Sequence, residues 1–288
     1  MSLTNKIDFA VVFKVKNANP NGDPLNGNRP RANYDRVGEV SDVCIKRKIR
    51  DRLQEAGIPI FVQSDDKRQD EYRSLKSRAE GELDKNLPEA SFRGAACKKW
   101  FDVRAFGQLF AYGGKKKDKK KKDDSEQSTS DEKGVSIGIR GPVSVHPAFS
   151  VDKINISSEQ IVKSVNAEGD DGKPSSDRMG MKHRVDEGVY VFYGSMNPQL
   201  ANKTGFSDDD AESIKKILPK LFENDASSAR PEGSMEVLKV IWWQHNCPHG
   251  QYSSAKVHRS LSVNSDGTLH LEKLKSLTGL KPEPIDGF

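Results

Sequence analysis

The chain has 288 residues, of which 34% are hydrophobic and 31% charged, and its net charge is +5. That length suits one large domain or a core with insertions, with a modest interior and a highly charged surface. No apolar run approaches the ~20 residues that a bilayer-spanning helix needs, so a helical membrane protein is excluded. Cys44, Cys97 and Cys247 are odd in number and widely spaced, which points to a reducing cytoplasm rather than a disulfide framework. The start, MSLTNKIDFAVVFKVKN, is broken by Asp8 and Lys14, unlike a signal peptide.

IDFAVVFKVKN, residues 7–17, is rich in Val and Phe and reads as a buried strand. NANPNGDPLNGNRPRAN follows, a loop with six Asn, three Pro and two Gly. SDVCIKRKIRDRLQEAG then predicts a helix with Ser41 as its N-cap and Gly57 as its stop. Ile45, Ile49, Leu53 and Ala56 make its docking stripe, Lys46, Arg47 and Arg50 cluster beside it, and Lys48 and Arg52 lie on the opposite flank. IPIFVQS, residues 58–64, reads as a second strand. The charged stretch 65–90 reads as a helical or irregular excursion, and FRGAACKKWFDVRAFGQLFAYGG returns the chain to the core.

Residues 115–134 are low-complexity, a lysine block followed by an acidic, serine-rich run, and are expected to form a mobile loop. VSIGIRGPVSVHP is a strand with a Gly-Pro break, and a long polar stretch runs from about Ser150 to His183. In VDEGVYVFYGS the alternation puts Val189, Val191 and Tyr193 on one face and Tyr190 and Phe192 on the other. SDDDAESIKKILPKLFEN predicts a helix capped by Ser207, MEVLKVIWWQH the last strong strand, and the tail is turn-rich. Strand, helix, strands, helix, strand matches the ferredoxin-like βαββαβ plan, an α+β fold with two helices on one sheet face.

Several motifs fail on their register. Asn19, Asn21 and Asp23 alternate like an EF-hand loop, but Pro24 takes the place of the required Gly and Pro30 that of the final acid. GGKKKD lacks the earlier Gly of a phosphate loop, where Leu109 stands, and the Ser or Thr after the Lys, where Lys116 stands. His245, Cys247 and His249 alternate without a second ligand pair, which favours a structural role over zinc. Asp8, Asp23 and Asp102 are the carboxylates a metal-dependent nuclease would need to converge, yet no nucleophile, base and orienter can be assembled. The expectation is therefore no catalysis, no metal and no cofactor. The basic stripe at Lys46, Arg47 and Arg50 fits a phosphate-binding edge and a solvated helix face equally well.

A resemblance separates those readings. NPNGDPLNGNRPRAN followed by SDVCIKRKIRD, then FDVRAFGQLF, then MGMKHRVDEGVYVFYGSMNP, resembles the backbone subunit of type I-C CRISPR Cascade complexes, a branch of the RAMP superfamily. The matching segments span roughly residues 5–200. The resemblance implies a single RRM-like palm over residues 1–288, with finger insertions about 65–95 and 112–134 and a thumb about 147–182. It implies that copies stack head to tail on CRISPR guide RNA, beside other Cascade subunits, and meet target DNA through the guide duplex.

On that reading Asn19, Asn21 and Asn28 are two-sided hydrogen-bonding groups facing the RNA backbone, and Arg29 and Arg31 hold phosphates. Lys46, Arg47 and Arg50 line the same groove, Arg104 and Gln108 add to it, and Arg178, Met179, Lys182 and His183 interrupt base stacking at the thumb. The sheet lacks the aromatic RRM signature, so stacking on an open sheet is not assumed. The alternative function is that of the RNA-cutting RAMP relatives, an endoribonuclease acting on CRISPR or target RNA, for which Asp23 is the candidate.

Overall fold

The computed structural model describes residues 2–84, 87–112, 135–162, 179–270, 273 and 275–288. The chain opens with β1 (Ile7–Ala18), β2 (Gly22–Asp23), β3 (Arg29–Pro30), β4 (Val37–Val40) and α1 (Asp42–Glu55). Then come α2 (Leu75–Glu82), α3 (Glu89–Lys99), α4 (Phe101–Phe106), β5 (Gly107–Tyr112) and β6 (Val135–Arg140). β7 (Val143–Val145), β8 (Ala148–Lys153), β9 (Ile156–Val162) and β10 (Met179–Met196) follow. α5 (Pro198–Thr204), α6 (Asp208–Ile217), β11 (Met235–Gln244), α7 (Ser254–Arg259) and β12 (Pro282–Asp286) complete the order.

The fold is mixed α+β around a large antiparallel sheet ordered β12-β11-β1-β10-β8-β4, with β7 and β9 also paired to β10. β1 sits between β10 and β11, and every residue from Ile7 to Phe13 is buried. That is why its sequence is a nearly continuous apolar run: a strand covered on both faces has no solvent side to mark with polar residues.

On one face α1 and α6 press Ile45, Ile49, Leu53, Ala211 and Ile214 against Phe9, Val11, Phe13, Tyr190, Phe192 and Trp242. Ser41 and Ser207 cap those helices as their sequences predict, each accepting from a backbone N–H in the first turn. Pro219 removes a backbone donor, so α6 gives way to a 3-10 turn at residues 218–220. Gly194 on β10 lets the Phe9 ring lie where a Cβ would come within 2.2 Å of it.

The opposite sheet face is covered by the tail. Val257, Leu261, Leu277 and Leu280 close over Ala10, Val12, Val189, Val191, Ile241 and Trp243. The alternation read in VDEGVYVFYGS is real, but both of its faces are interior. Val12, Ile241 and Trp243 are thereby removed from any role as an open binding surface.

A separate small core joins Phe61, Ala79, Phe92, Ala96, Trp100, Val103, Phe110 and Ile137, built by α2, α3, α4 and the β5–β6 hairpin. Here the expected strand at residues 58–64 is absent: that segment is irregular. Ile60 and Phe61 are buried as an apolar run should be, but the N–H groups of Phe61 and Val62 donate to the Asp102 carboxylate at 2.7 and 3.0 Å. A side chain thus takes the place of a strand partner. The stretch written as one broken strand is two: β6 pairs with β5, while β7 pairs with β10 in the main sheet. The polar stretch from Ser150 also contains β9, which pairs with the outer end of β10 from Met179 to Val185.

Among the described residues no helix is long and apolar enough to cross a membrane. The expected loop at 115–134, and the 163–178 portion of the polar stretch, lie outside the described residues.

Candidate nucleic-acid interface

The Asn-rich loop is folded upon itself by its own amides. Asn19 is buried, and its side-chain N–H donates to the Asn28 carbonyl at 2.7 Å while its backbone N–H donates to Ala229 at 2.8 Å. The Asn21 side-chain oxygen accepts from Ser41 N–H at 2.9 Å, which ties the loop to the first residue before α1. Asn28 adopts the left-handed region at φ 58°, a conformation that Asn tolerates better than most residues, and is exposed at the β2–β3 turn. Asp23 caps the 3-10 turn at residues 24–26 and lies 3.6 Å from Arg31. Two of the three expected asparagines therefore build the loop, and Asn28 is the one facing solvent.

Arg29 carries the loop to its neighbour. Its guanidinium donates to Ser158 Oγ on β9 at 3.0 Å, and the same hydroxyl lies 2.8 Å from His183 Nδ1 on β10. The loop and the β9–β10 hairpin thus stand side by side, joined at Arg29, Ser158 and His183, while Lys182, the preceding residue of β10, lies on the other face of the strand. Farther along the hairpin Met179 is 68% exposed and directly opposite Val162, itself 54% exposed. Arg184, partnered by Glu159 at 2.7 Å, and Ser158 were not singled out from the sequence. Ser158 lies in a plain polar run, and only the β9–β10 register brings it to Arg29. Arg178 lies outside the described residues.

The basic residues of α1 have carboxylate partners within the protein. Lys46 pairs with Asp42 at 2.9 Å on its own helix, and Arg47 with Asp51 and Asp66, each at 3.2 Å. Arg50 is 13% exposed and meets the buried Asp102 at 2.9 Å, with Phe106 beneath its guanidinium. Arg104 makes a two-pronged bond to Asp210, at 2.7 and 2.9 Å, and packs over Phe101. Arg104 commits both prongs of its guanidinium to Asp210 and Arg50 commits its Nε to the buried Asp102, so the geometry makes them ties between segments. Gln108 bonds the Leu109 carbonyl and lines an apolar cleft with Phe61, Leu75 and Leu109. Lys48, expected on a flank, is buried against Asp225, and burial lowers its pKa while Asp225 pulls the other way. Ala56, expected in the docking stripe, is exposed at the end of α1.

The nuclease candidates do not assemble. Asp8 is buried and bonded to His245 Nε2 at 2.9 Å, with His258 Nε2 at 3.4 Å and Lys6 at 3.3 Å. His245 Nδ1 accepts from Gln251 N–H at 2.9 Å, so its proton sits on Nε2 and is donated to Asp8. Burial by itself would raise the Asp8 pKa, but the bonds to His245, His258 and Ser254 and the Lys6 charge outweigh it and hold the carboxyl well below the usual range. Asp102 is consumed by two backbone N–H groups and Arg50, and Asp23 by its turn and Arg31. Among the described residues no three His, Cys, Asp or Glu side chains come together in a way that could hold a metal ion. Cys97 is buried, which pushes its thiol up to about 11, above the range of a reactive thiolate.

A family model described as CRISPR-associated protein Cas7 matches residues 5–280. The chain belongs to the Cas7 family. A protein of Haloferax volcanii named CRISPR-associated protein Cas7 is 24% identical over 285 residues, covering 96% of this chain and 81% of its own length. Among solved structures, a chain of a CRISPR RNA-guided surveillance complex in a pre-nicking state is similar at 14% identity and a TM-score of 0.46, over 93% of this chain and 86% of that one. A chain from a second CRISPR RNA-guided surveillance complex matches at 15% identity and 0.46, over 93% and 80%. A chain of a type III-B Cmr-beta complex bound to cognate target RNA matches at 10% and 0.42, over 82% and 60%. Membership of the Cas7 family agrees with the resemblance read from the four motifs.

Proposed function

We propose that this protein is a guide-RNA-binding backbone subunit of a type I-C CRISPR effector, working in the cytoplasm and polymerising head to tail along the RNA. The single observation that supports the reading most is the junction of the Asn-rich loop with the β9–β10 hairpin through Arg29, Ser158 and His183. Such a seam offers guanidinium groups and amides to a sugar-phosphate backbone without reading base edges, which suits a protein that must hold any guide sequence. On this reading the antiparallel sheet with α1 and α6 is an RRM-like palm. The small core around Trp100 belongs to the fingers, and the β9–β10 hairpin is the root of the thumb. The guide carries the sequence information, and target DNA is met through pairing with it. On this reading the chain itself performs no reaction, and the structural partners of Asp8, Asp102 and Asp23 support that.

Sedimentation of the purified protein with guide RNAs of increasing length tests this reading. The expected result is a mass that steps upward with RNA length while the RNA stays intact. A monomer at every length sinks the filament, and RNA cleavage that is lost on substituting Asp23 replaces the reading with that of an endoribonuclease.

A further inference from the structure

Tyr34 is completely exposed, at 108% of its reference area, in a region where nothing obliges an aromatic ring to be. It sits on the turn Asn33-Tyr34-Asp35-Arg36-Val37, which is held by four hydrogen bonds. The Asn33 side-chain oxygen accepts from Asp35 and Val37 N–H at 3.0 and 2.9 Å. Asn33 N–H donates to Val37 O at 2.9 Å, and Arg36 N–H to Asn33 O at 3.0 Å. Arg36 is at φ 64°, an uncommon conformation for a side chain of its size, and its carbonyl accepts from Ile154 N–H at 2.9 Å just before β9. The turn is therefore rigid, strained and tethered beside the same hairpin that meets Arg29. The backbone beneath the ring is already fixed, so covering the ring orders the Tyr34 side chain alone.

The surroundings choose the class of partner. Residues 32–36 are all exposed, and apart from the ring and Ala32 they are polar or charged. A protein-docking aromatic is ordinarily ringed by contacts that exclude water, and this turn supplies none along the chain. Arginine precedes and follows the ring in RPRANYDR, at positions 29, 31 and 36. Arg31 also keeps its Nε buried without a protein partner. The one acid paired to this set, Asp23, is held by Arg31, and Asp35 is the remaining carboxylate of the turn. An aromatic face interleaved with guanidinium groups is the arrangement that stacks single-stranded bases while tracking their phosphates.

We infer that Tyr34 is a stacking platform for an unpaired nucleobase of the bound strand. The inference rests on the RNA-binding reading and gives it a residue that the motifs did not single out. The ring supplies a flat surface to one base, without reading its identity, while Arg29 and Arg31 hold flanking phosphates.

The test uses an oligoribonucleotide short enough to carry one copy, with 2-aminopurine moved along its positions, and the variants Tyr34→Ala and Tyr34→Phe. The wild-type protein quenches 2-aminopurine at one position, and Tyr34→Phe does the same. Tyr34→Ala loses that quench and about tenfold in affinity, with the salt dependence unchanged because no phosphate contact is removed. Unaltered affinity and quenching in Tyr34→Ala overturn the inference. So does a variant that binds the short RNA normally but fails to assemble on long RNA, which seats the ring in a neighbouring protein. A wild-type chain that binds no RNA overturns the functional reading itself, so the two failures are told apart.

Discussion

Replacing Arg50 separates a structural tie from an RNA contact. Its guanidinium is 13% exposed and bonds Asp102, which is 1% exposed and also accepts from Phe61 and Val62 N–H. Removing one member of a buried pair costs about 3–5 kcal/mol, because the other charge stays behind without its partner. The two backbone donors remain on Asp102, which places Arg50→Met near the lower end, at about 3 kcal/mol. For a chain of this size that lowers the melting temperature by about 6 °C. Arg50→Glu faces two carboxylates together and falls further. Thermal unfolding followed by circular dichroism measures the first effect, and RNA titration at several salt concentrations, run well below the transition, measures the second. Arg50→Met is expected to keep wild-type RNA affinity and salt slope once folded. Wild-type stability with weakened RNA binding and a shallower slope refutes the reasoning and returns Arg50 to the groove.

Arg29→Gln with Arg31→Gln leaves folding intact and weakens RNA binding across all sequences, with the slope of log affinity against log salt falling by about 0.7 per phosphate lost; fluorescence anisotropy reads both. Asp8→Asn destabilises the protein at neutral pH in urea unfolding. Since the folded carboxyl is held below its usual range, its stabilising contribution is present above the unfolded value and is lost as pH falls through the folded one, so the gap from wild type begins to close only below about pH 4. Replacing residues 113–134 by Asn-Gly keeps the melting temperature, because Tyr112 and Val135 already pair across β5 and β6 and the two-residue turn closes their hairpin. Gly194→Ala lowers stability by about 1–3 kcal/mol in the same urea assay, since the new methyl meets the Phe9 ring on the central strand.

The long, strongly patterned elements are legible in the residues themselves. The β1 run, the Ser41- and Ser207-capped helices, the two faces of VDEGVYVFYGS and the β11 strand all follow from apolar periodicity and local capping, which act within a few residues. IPIFVQS shows where that logic ends. Its apolar residues are buried as read, yet whether a buried run becomes a strand depends on which group receives its backbone donors, and Asp102 lies some forty residues away. The basic stripe of α1 shows the same limit. Composition places Lys46, Arg47 and Arg50 on a helix, but Asp66 beside Arg47 and Asp102 beside Arg50 come from other segments and decide how much of that charge remains for a ligand.

The sequence by itself determined the mixed architecture, the capped starts of α1 and α6 and, through four motifs in order, the family. Tertiary structure alone decided which polar groups face water. Asn19 and Asn21 became internal braces, Arg50 and Arg104 became ties, and Arg29 reached a serine on a distant strand. The reason is that periodicity and capping are short-range, whereas the fate of a hydrogen-bond donor or a charge is settled by whichever acceptor the folded chain brings within about 3 Å.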